Sequence, residues 1–139
     1  MENTTLQLSE SNIETQVLST KIYSKQAIMG FSVFFTTIFG GILLMQNLRD
    51  LNKKKEANIV LGISIVYTII SMIMVNLIKS TSSSKAIFFN LIGGSILSYY
   101  FFSKHIPNEE QLEKKKIWKP LIISIIIAIP FILAMIYAN

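Results

Sequence analysis

Side chains that could do chemistry are few in this chain, and they form no recognisable catalytic or metal-binding set. His105 is the single histidine, and Glu109 and Glu110 are the acids that follow it. A protein zinc site needs three or four converging ligands, so this group is too small to predict one. The serine-rich segment 80–84 has no histidine or acid beside it to activate a nucleophile. Cysteine is absent, and the sequence therefore predicts a protein that is not an enzyme and has no catalytic residue, metal site or cofactor.

Apolar stretches dominate the chain of 139 residues, of which 51% are hydrophobic. Four stretches approach the ~20 residues with which an α-helix crosses ~30 Å of hydrocarbon. None of the four contains a charged residue or a histidine: residues 26–45, 57–78, 86–102 and 121–138. Ionisable groups inside a membrane mark proton relays and ion pathways, and their absence argues against those functions. We predict an all-α fold, an integral-membrane, antiparallel four-helix bundle whose transmembrane domain is residues 26–139.

Two polar segments outside the apolar stretches are candidates for surface structure. Residues 1–25 lack the apolar centre of a signal peptide. They form either a mobile polar tail or a short surface helix over 11–22, where Ser11 and Glu14 have the spacing of a capping box. Before the fourth stretch, Asn108 and Gln111 predict the start of a short cytoplasmic surface helix over 109–116.

Basic residues flank the apolar stretches unevenly. Connections 46–56 and 103–119 carry nine lysines and arginines, against four on the other side, Lys21, Lys25, Lys79 and Lys85. The positive-inside rule then places both connections in the cytoplasm and both termini outside, although the two lysines before the first stretch favour the opposite start. We expect anchors at the membrane interface from Lys53, Lys54, Lys55, Lys114, Lys115, Lys116 and Trp118. The net charge of +5 follows from these topological lysines, so we expect no nucleic-acid partner.

Small and polar side chains recur along the apolar stretches at helical spacing. In lipid such residues let helices approach closely and hydrogen-bond, so they predict helix contacts. Asn76 and Asn90 are the most polar, and the short turn between their stretches predicts amides at a similar depth. They either hold helices together or line a ligand pocket. The candidates for these two roles are Asn76, Asn90, Gly94, Ser98, Ser64, Thr68 and Ser71.

Residues 23–51 resemble the opening of an uncharacterised family of small bacterial multi-span membrane proteins. The resemblance is carried by the pair Tyr23-Ser24, by the motif Phe39-Gly40-Gly41, and by Asn47 with Leu51 in the basic connection. It covers about a fifth of the chain and implies no activity. Lysine greatly outnumbers arginine, which is typical of AT-rich bacterial genomes, and we expect a bacterial cytoplasmic (inner) membrane.

These observations favour a protein that works by contact within the membrane. Small size, uncharged stretches and helix contact faces predict an accessory subunit or an immunity-type protein, with the lipid bilayer and a membrane protein or a second copy as partners. The alternative is an oligomeric small transporter or pore for a neutral or lipophilic substrate, with Asn76 and Asn90 as its binding residues.

Overall fold

The computed structural model describes residues 2–18, 20–78 and 84–138 of the chain. Within this part the secondary-structure elements are helical, apart from one isolated backbone bridge, which confirms the predicted all-α class. In chain order they are α1 (Glu2–Leu18), α2 (Lys25–Phe34), α3 (Thr37–Asp50), α4 (Lys54–Leu77), α5 (Ser84–Ser95), a π-helical segment (Ile96–Phe102), α6 (Ser103–His105), a 3-10 turn (Glu109–Gln111) and α7 (Trp118–Tyr137).

The first apolar stretch departs from the single helix expected over residues 26–45. It forms two helices, α2 and α3, and the chain between them is extended at Thr36, where φ is −175° and ψ is 163°. Helix α3 runs back along α2. The two helices are so close that a Cβ added at Gly40 of α3 would lie only 2.7 Å from the Ile28 carbonyl oxygen of α2. Small residues allow this close approach. We call this α2–α3 unit the hairpin.

The base of the hairpin is closed by a buried side chain. Asn47 is fully buried, and its Oδ1 accepts a hydrogen bond of 2.7 Å from the Tyr23 backbone N–H. Its Nδ2 donates to the Tyr23 carbonyl oxygen at 2.8 Å. Ser24 then begins α2 as its N-cap, accepting from the Ala27 N–H at 3.1 Å. The segment before the first apolar stretch therefore lies beside connection 46–56 and not at the opposite end of the molecule.

Helices α4 and α5 form the long pair of the fold. Tyr67 on α4 donates a hydrogen bond to the Phe89 carbonyl oxygen on α5 at 2.9 Å. In the described part, two helices are long and apolar enough to cross a membrane, Lys54–Leu77 and Ser84–His105. The first of them covers the second predicted stretch up to Leu77, and the other contains the third stretch. Only 17% and 28% of their most apolar windows are buried, unlike the core helix of a soluble protein. Of the serine-rich turn, residues 80–83 lie outside the described residues.

The predicted surface helix over 109–116 is wrong in extent. The chain makes one 3-10 turn over Glu109–Gln111 and then extends along the segment before α2. The Ile22 N–H donates to the Glu113 carbonyl oxygen at 2.8 Å, and the Lys115 N–H donates to the Ile22 carbonyl oxygen at 2.6 Å. Pairing with Ile22 satisfies backbone groups that a helix would otherwise use, and it lets Leu112 enter the core.

The N-terminal segment is helical over Glu2–Leu18, a range that differs from the residues 11–22 considered for a surface helix. Helix α1 begins earlier than expected, and Ser11 lies inside it, donating to the Leu8 carbonyl oxygen at 3.0 Å instead of capping. Its described side chains are exposed.

The hydrophobic core lies around the base of the hairpin. It is built from α2, α3, α4, the π-helical segment and the two loop segments that flank them, with the members Ile22, Tyr23, Ile28, Phe31, Leu43, Leu44, Leu48, Ala57, Val60, Leu97, Phe102, Ile106 and Leu112. Helix α7 stands largely apart, since Leu121 packs on this core while most of its other large apolar side chains are exposed. Pro130 lies inside α7, which continues to Tyr137.

Candidate functional site

The hairpin is shorter than the helices beside it, and this difference leaves a cavity above its tip. At 1.5 Å per residue, the 14 residues of α3 reach ~21 Å, whereas the 24 residues of α4 reach ~36 Å. Both helices have an end at the connection between Asp50 and Lys54. The remaining space holds a cavity of about 250 Å³ between the tip and the far halves of α4 and α5. We call it the tip cavity; its lining residues are Thr36, Thr68, Ser71, Met72, Val75, Asn76, Ala86, Phe89 and Asn90.

Ser71 is the most distinctive polar group of the tip cavity. Two other hydroxyls of α4 donate to the carbonyl oxygen four residues earlier, Ser64 to Val60 at 2.7 Å and Thr68 to Ser64 at 2.8 Å. Ser71 makes no hydrogen bond to the described residues, although its side chain is only 8% exposed. Among the described residues, only the Thr37 hydroxyl oxygen is both buried and unpaired, so the Ser71 hydroxyl is open to the cavity, where water can satisfy it.

The start of α3 adds a second polar feature at the same place. Thr36 occupies the N-cap position, but its side chain makes no capping hydrogen bond. The first N–H groups of α3 have no partner within the helix and carry a partial positive charge, which the carbonyl end of α2 at Phe34 offsets at the same tip. The next hydroxyl, that of Thr37, is buried and has no hydrogen-bond partner among the described residues.

The structure brings four of the seven predicted contact or pocket residues to the tip cavity. Asn76 and Asn90 both line it, as do Thr68 and Ser71. The two amides do not bond to each other: Asn76 Nδ2 donates to the Met72 carbonyl oxygen of its own helix at 2.8 Å. Asn90 has no hydrogen bond to the described residues, so its amide can form hydrogen bonds with water or a ligand in the cavity.

The other three predicted residues lie at helix contacts away from the cavity. Ser64 packs against Gly41, where an added Cβ would lie 2.5 Å from the Ser64 Cβ. Gly94 faces Ser32 of α2, and an added Cβ would lie 2.8 Å from the Ser32 Cβ. Ser98, in the π-helical segment, donates a long 3.4 Å hydrogen bond to the Lys25 carbonyl oxygen. These residues hold the hairpin to α4 and α5.

Sequence reasoning missed Thr36, which belongs to the cavity only because the first apolar stretch turns back at that residue. The one local signal was the pair Thr36-Thr37, since a threonine is favoured at a helix N-cap and its hydroxyl competes with helical hydrogen bonding. It also missed the clamp between Asn47 and Tyr23. Both residues belong to the motifs that carry the family resemblance, but the motifs alone did not say that they meet.

The end of the molecule opposite the cavity is strongly basic. Lys53 Nζ donates to the His105 carbonyl oxygen at 2.6 Å, and Lys115 forms an ion pair with Asp50. Lys25 Nζ lies 4.3 Å from the centre of the Tyr99 ring and donates to Ser103 Oγ at 3.1 Å. Eleven of the 13 lysines and arginines lie in the segments that meet here. We call this the basic end; its members are Lys21, Lys25, Arg49, Lys53, Lys54, Lys55, Lys104, Lys114, Lys115, Lys116 and Lys119.

The predicted interface anchors all belong to the basic end or border it. Lys114 Nζ lies 3.9 Å from Glu109 Oε1, in a partly exposed ion pair of the kind that contributes little to stability. Lys54, Lys55 and Lys116 are exposed, and Trp118 is 67% exposed at the start of α7. His105 stacks on Phe101, with ring centres 6.4 Å apart. Among the described residues, no group of three or more histidines and acids is placed to hold a metal ion.

Comparison with known proteins adds no relative. No family model, curated protein or solved structure matches this chain.

Proposed function

We propose that the protein is integral to a bacterial cytoplasmic membrane, which it crosses three times while the hairpin enters from one side and returns to it. The crossings would be α4, the helix from Ser84 to His105, and α7, whose 20 residues reach ~30 Å. The outer faces of these helices support the placement, since isoleucines such as Ile69 and Ile126 are more than half exposed. Soluble proteins rarely expose apolar surface so continuously.

The proposed orientation follows from the return of the hairpin. It brings Lys21 and Lys25 to the same end as connections 46–56 and 103–119, so only Lys79 and Lys85 remain for the opposite side. The positive-inside rule then places the basic end in the cytoplasm, with the N-terminus inside and the C-terminus outside. This removes the conflict in the four-span interpretation, in which the two early lysines had to lie outside.

Single cysteines test this topology, because the chain has none of its own. Ser9 and Ala138 are exposed near the two ends. In spheroplasts, a membrane-impermeant maleimide should label Ala138→Cys directly and Ser9→Cys only after the membrane is permeabilised. Direct labelling of both would support four crossings and contradict the return of the hairpin.

The leading role is contact with another membrane protein, as an accessory subunit or an immunity-type protein. Support comes from α7, which packs loosely and leaves a cleft of about 570 Å³ against α2. Gly30 lines this cleft, and a Cβ added there would meet nothing within 4 Å. In lipid, a glycine on an open helix face permits close approach of a second helix. We expect the partner helix to cross α2 at Gly30.

Co-purification from mild detergent tests the contact role. The wild-type chain should bring down a stoichiometric membrane protein or a second copy, and Gly30→Leu should lose it by filling the cleft. Gly62→Leu is the matched control, because Gly62 is equally open but lies on α4. If both variants retained the partner equally, the contact would lie elsewhere than in this cleft. A wild-type chain that remains a monomer without a partner would contradict the contact role.

The tip cavity favours a second candidate, an oligomeric small transporter or pore. Broken helices and hairpins at membrane depth occur where backbone lines a cavity or an aqueous path. Flux of a small neutral solute such as glycerol into proteoliposomes would support it if Asn90→Leu abolished the flux. Liposomes that stay as tight as protein-free controls would exclude it.

A further inference from the structure

We propose that a group of lysines and tyrosines at the basic end binds the headgroup of an anionic phospholipid in the cytoplasmic leaflet. The group lies where the start of α2 meets the last turns of the helix that ends at His105. We call it the lysine–tyrosine cluster; its members are Lys25, Tyr99, Tyr100, Ser103 and Lys104. The proposal rests on the proposed membrane placement and is compatible with either of the two roles.

Each of the two ammonium groups in the cluster is held against an aromatic ring. Lys25 Nζ lies 4.3 Å from the centre of the Tyr99 ring and donates to Ser103 Oγ at 3.1 Å. Lys104 Nζ lies 5.5 Å from the centre of the Tyr100 ring. A cation over an aromatic face is attracted by the ring while its remaining N–H groups stay available for an anion. The lysines are thus positioned before a ligand arrives, which lowers the cost of ordering them on binding.

The two lysines of the cluster form no ion pair with an acid among the described residues. By contrast, Lys21, Lys114 and Lys115 of the same end each pair with a carboxylate. Glu109 Oε1 accepts from the Lys25 backbone N–H at 3.1 Å and lies 3.9 Å from Lys114 Nζ, so it is shared with other partners. Two ammonium groups without a carboxylate of their own favour an anionic headgroup over a zwitterionic one, whose own cationic group they repel.

An apolar stripe beside the cluster selects a phospholipid over a soluble phosphate. Ile92, Ile96 and Tyr99 follow one another at spacings of four and three, so they share a face of the helix, and all three are exposed. In the proposed placement this face meets acyl chains, and the amphipathic tyrosine ring lies at the level of the headgroups. A molecule that joins an acyl chain to a phosphate can contact the stripe and the ammonium groups together, which a free phosphate cannot.

The π-helical segment gathers the two tyrosine rings on one side. A π-helical turn holds more residues than an α-helical turn, so neighbouring residues are rotated less around the helix axis. Tyr99 and Tyr100 lie in this segment and are 66% and 58% exposed, and each approaches a lysine. Single turns of this kind frequently occur at functional sites. The local backbone geometry therefore places both rings where the two ammonium groups lie.

Quenching of tryptophan fluorescence by brominated lipids tests the site in the full chain in vesicles. The chain has one tryptophan, so Trp118→Phe gives a background in which a new tryptophan is the only reporter. Ile96→Trp places the reporter beside the cluster. Ile63→Trp is the matched control, because Ile63 is 41% exposed and Ile96 is 40% exposed. The two positions are also equally far along the sequence from the cytoplasmic ends of their helices, at Lys54 and His105.

The vesicles mix phosphatidylglycerol, which is anionic, with phosphatidylcholine, which is zwitterionic, and either lipid carries the bromine. Quenching then gives the preference for the anionic lipid at each reporter. Beside Ile96→Trp this preference should be roughly fivefold to twenty-five-fold, because each lysine at an anionic surface contributes roughly fivefold. Beside Ile63→Trp it should be at most about twofold, because the other basic residues act there only as a screened field.

Variants that remove charge separate a site from a diffuse field. Lys25→Gln with Lys104→Gln should bring the preference beside the cluster down to that of the control position. Lys54→Gln with Lys55→Gln removes the same charge from exposed lysines of the basic end and should leave the preference unchanged. Tyr99→Leu keeps every charge and should lower the preference about twofold to fivefold, which is the effect of an exposed cation–π contact. Circular dichroism establishes folding, and Tyr99→Leu decides if the first double variant does not fold.

Two results would overturn the lipid site and leave the membrane placement intact. Equal preference at the two reporter positions, or an equal fall in the two double variants, would mean that the basic end attracts anionic lipid only as a diffuse field. Loss of the preference when inorganic phosphate replaces chloride at the same ionic strength would mean that the cluster holds a soluble phosphate. An Ile96→Trp reporter that neither brominated lipid quenches would contradict the membrane placement itself, and the lipid site with it.

Discussion

Replacing Asn47 by leucine should loosen the base of the hairpin. The side chain is fully buried and makes two hydrogen bonds to Tyr23, at 2.7 Å and 2.8 Å. Tyr23 is only 8% exposed, so water cannot replace the lost partners. An orphaned buried donor or acceptor costs about 1–3 kcal/mol, and the two together should cost about 2–6 kcal/mol. Leucine has the same branched arrangement of heavy atoms as asparagine and is slightly larger, so none of this loss comes from a cavity.

The matched control for this variant is Asn58→Leu, since Asn58 is exposed on α4. Thermal unfolding in mild detergent, followed by circular dichroism, should place the Tm of Asn47→Leu roughly 5–20 °C below that of the control, from ~2–4 °C per kcal/mol for a chain of this size. Equal Tm values would refute the reasoning, because the hairpin base would then be held without the clamp.

Three further predictions follow from the packing. Gly40→Ala should destabilise the protein by about 1–3 kcal/mol, because its Cβ would collide with the Ile28 carbonyl oxygen. Gly30→Ala is the control and should not destabilise it, because the space around Gly30 is open. Equal Tm values for the two variants would contradict the close approach of α2 and α3. Deleting residues 1–18 should leave the Tm of the remainder within about 2 °C, since an exposed segment adds little to stability; a larger fall would mean that α1 packs on the rest. Lys115→Ala should lower the free energy of unfolding by at most ~1 kcal/mol, because the ion pair between Lys115 and Asp50 is partly exposed. The measurement is the Tm difference from the wild type, taken with and without added salt. A much larger loss would show that the pair is shielded from solvent.

Local composition was enough to predict an all-α chain and the long apolar helix over residues 57–78, but not the two helices of the first apolar stretch or the extended chain after Gln111. Uncharged runs such as 57–78 have one stable backbone state in a non-aqueous surrounding, because a helix satisfies its own backbone hydrogen bonds. Helical spacing likewise predicted that Ser64, Thr68 and Ser71 face inward, and the short turn predicted that Asn76 and Asn90 lie together. These are local properties, set by periodicity and by the length of a connection.

The path of the first apolar stretch was decided only by tertiary structure. Residues 26–45 are as apolar as a crossing helix, and nothing in their composition separates one long helix from two short ones. What distinguishes them is pairing at a distance, of Gly40 with Ile28 and Ser32, and of Asn47 with Tyr23. The sequence by itself thus determined a helical, apolar chain with basic flanks. The return of the hairpin, which gathers those flanks at one end and opens a polar cavity at the other, depends on contacts between residues far apart in the chain.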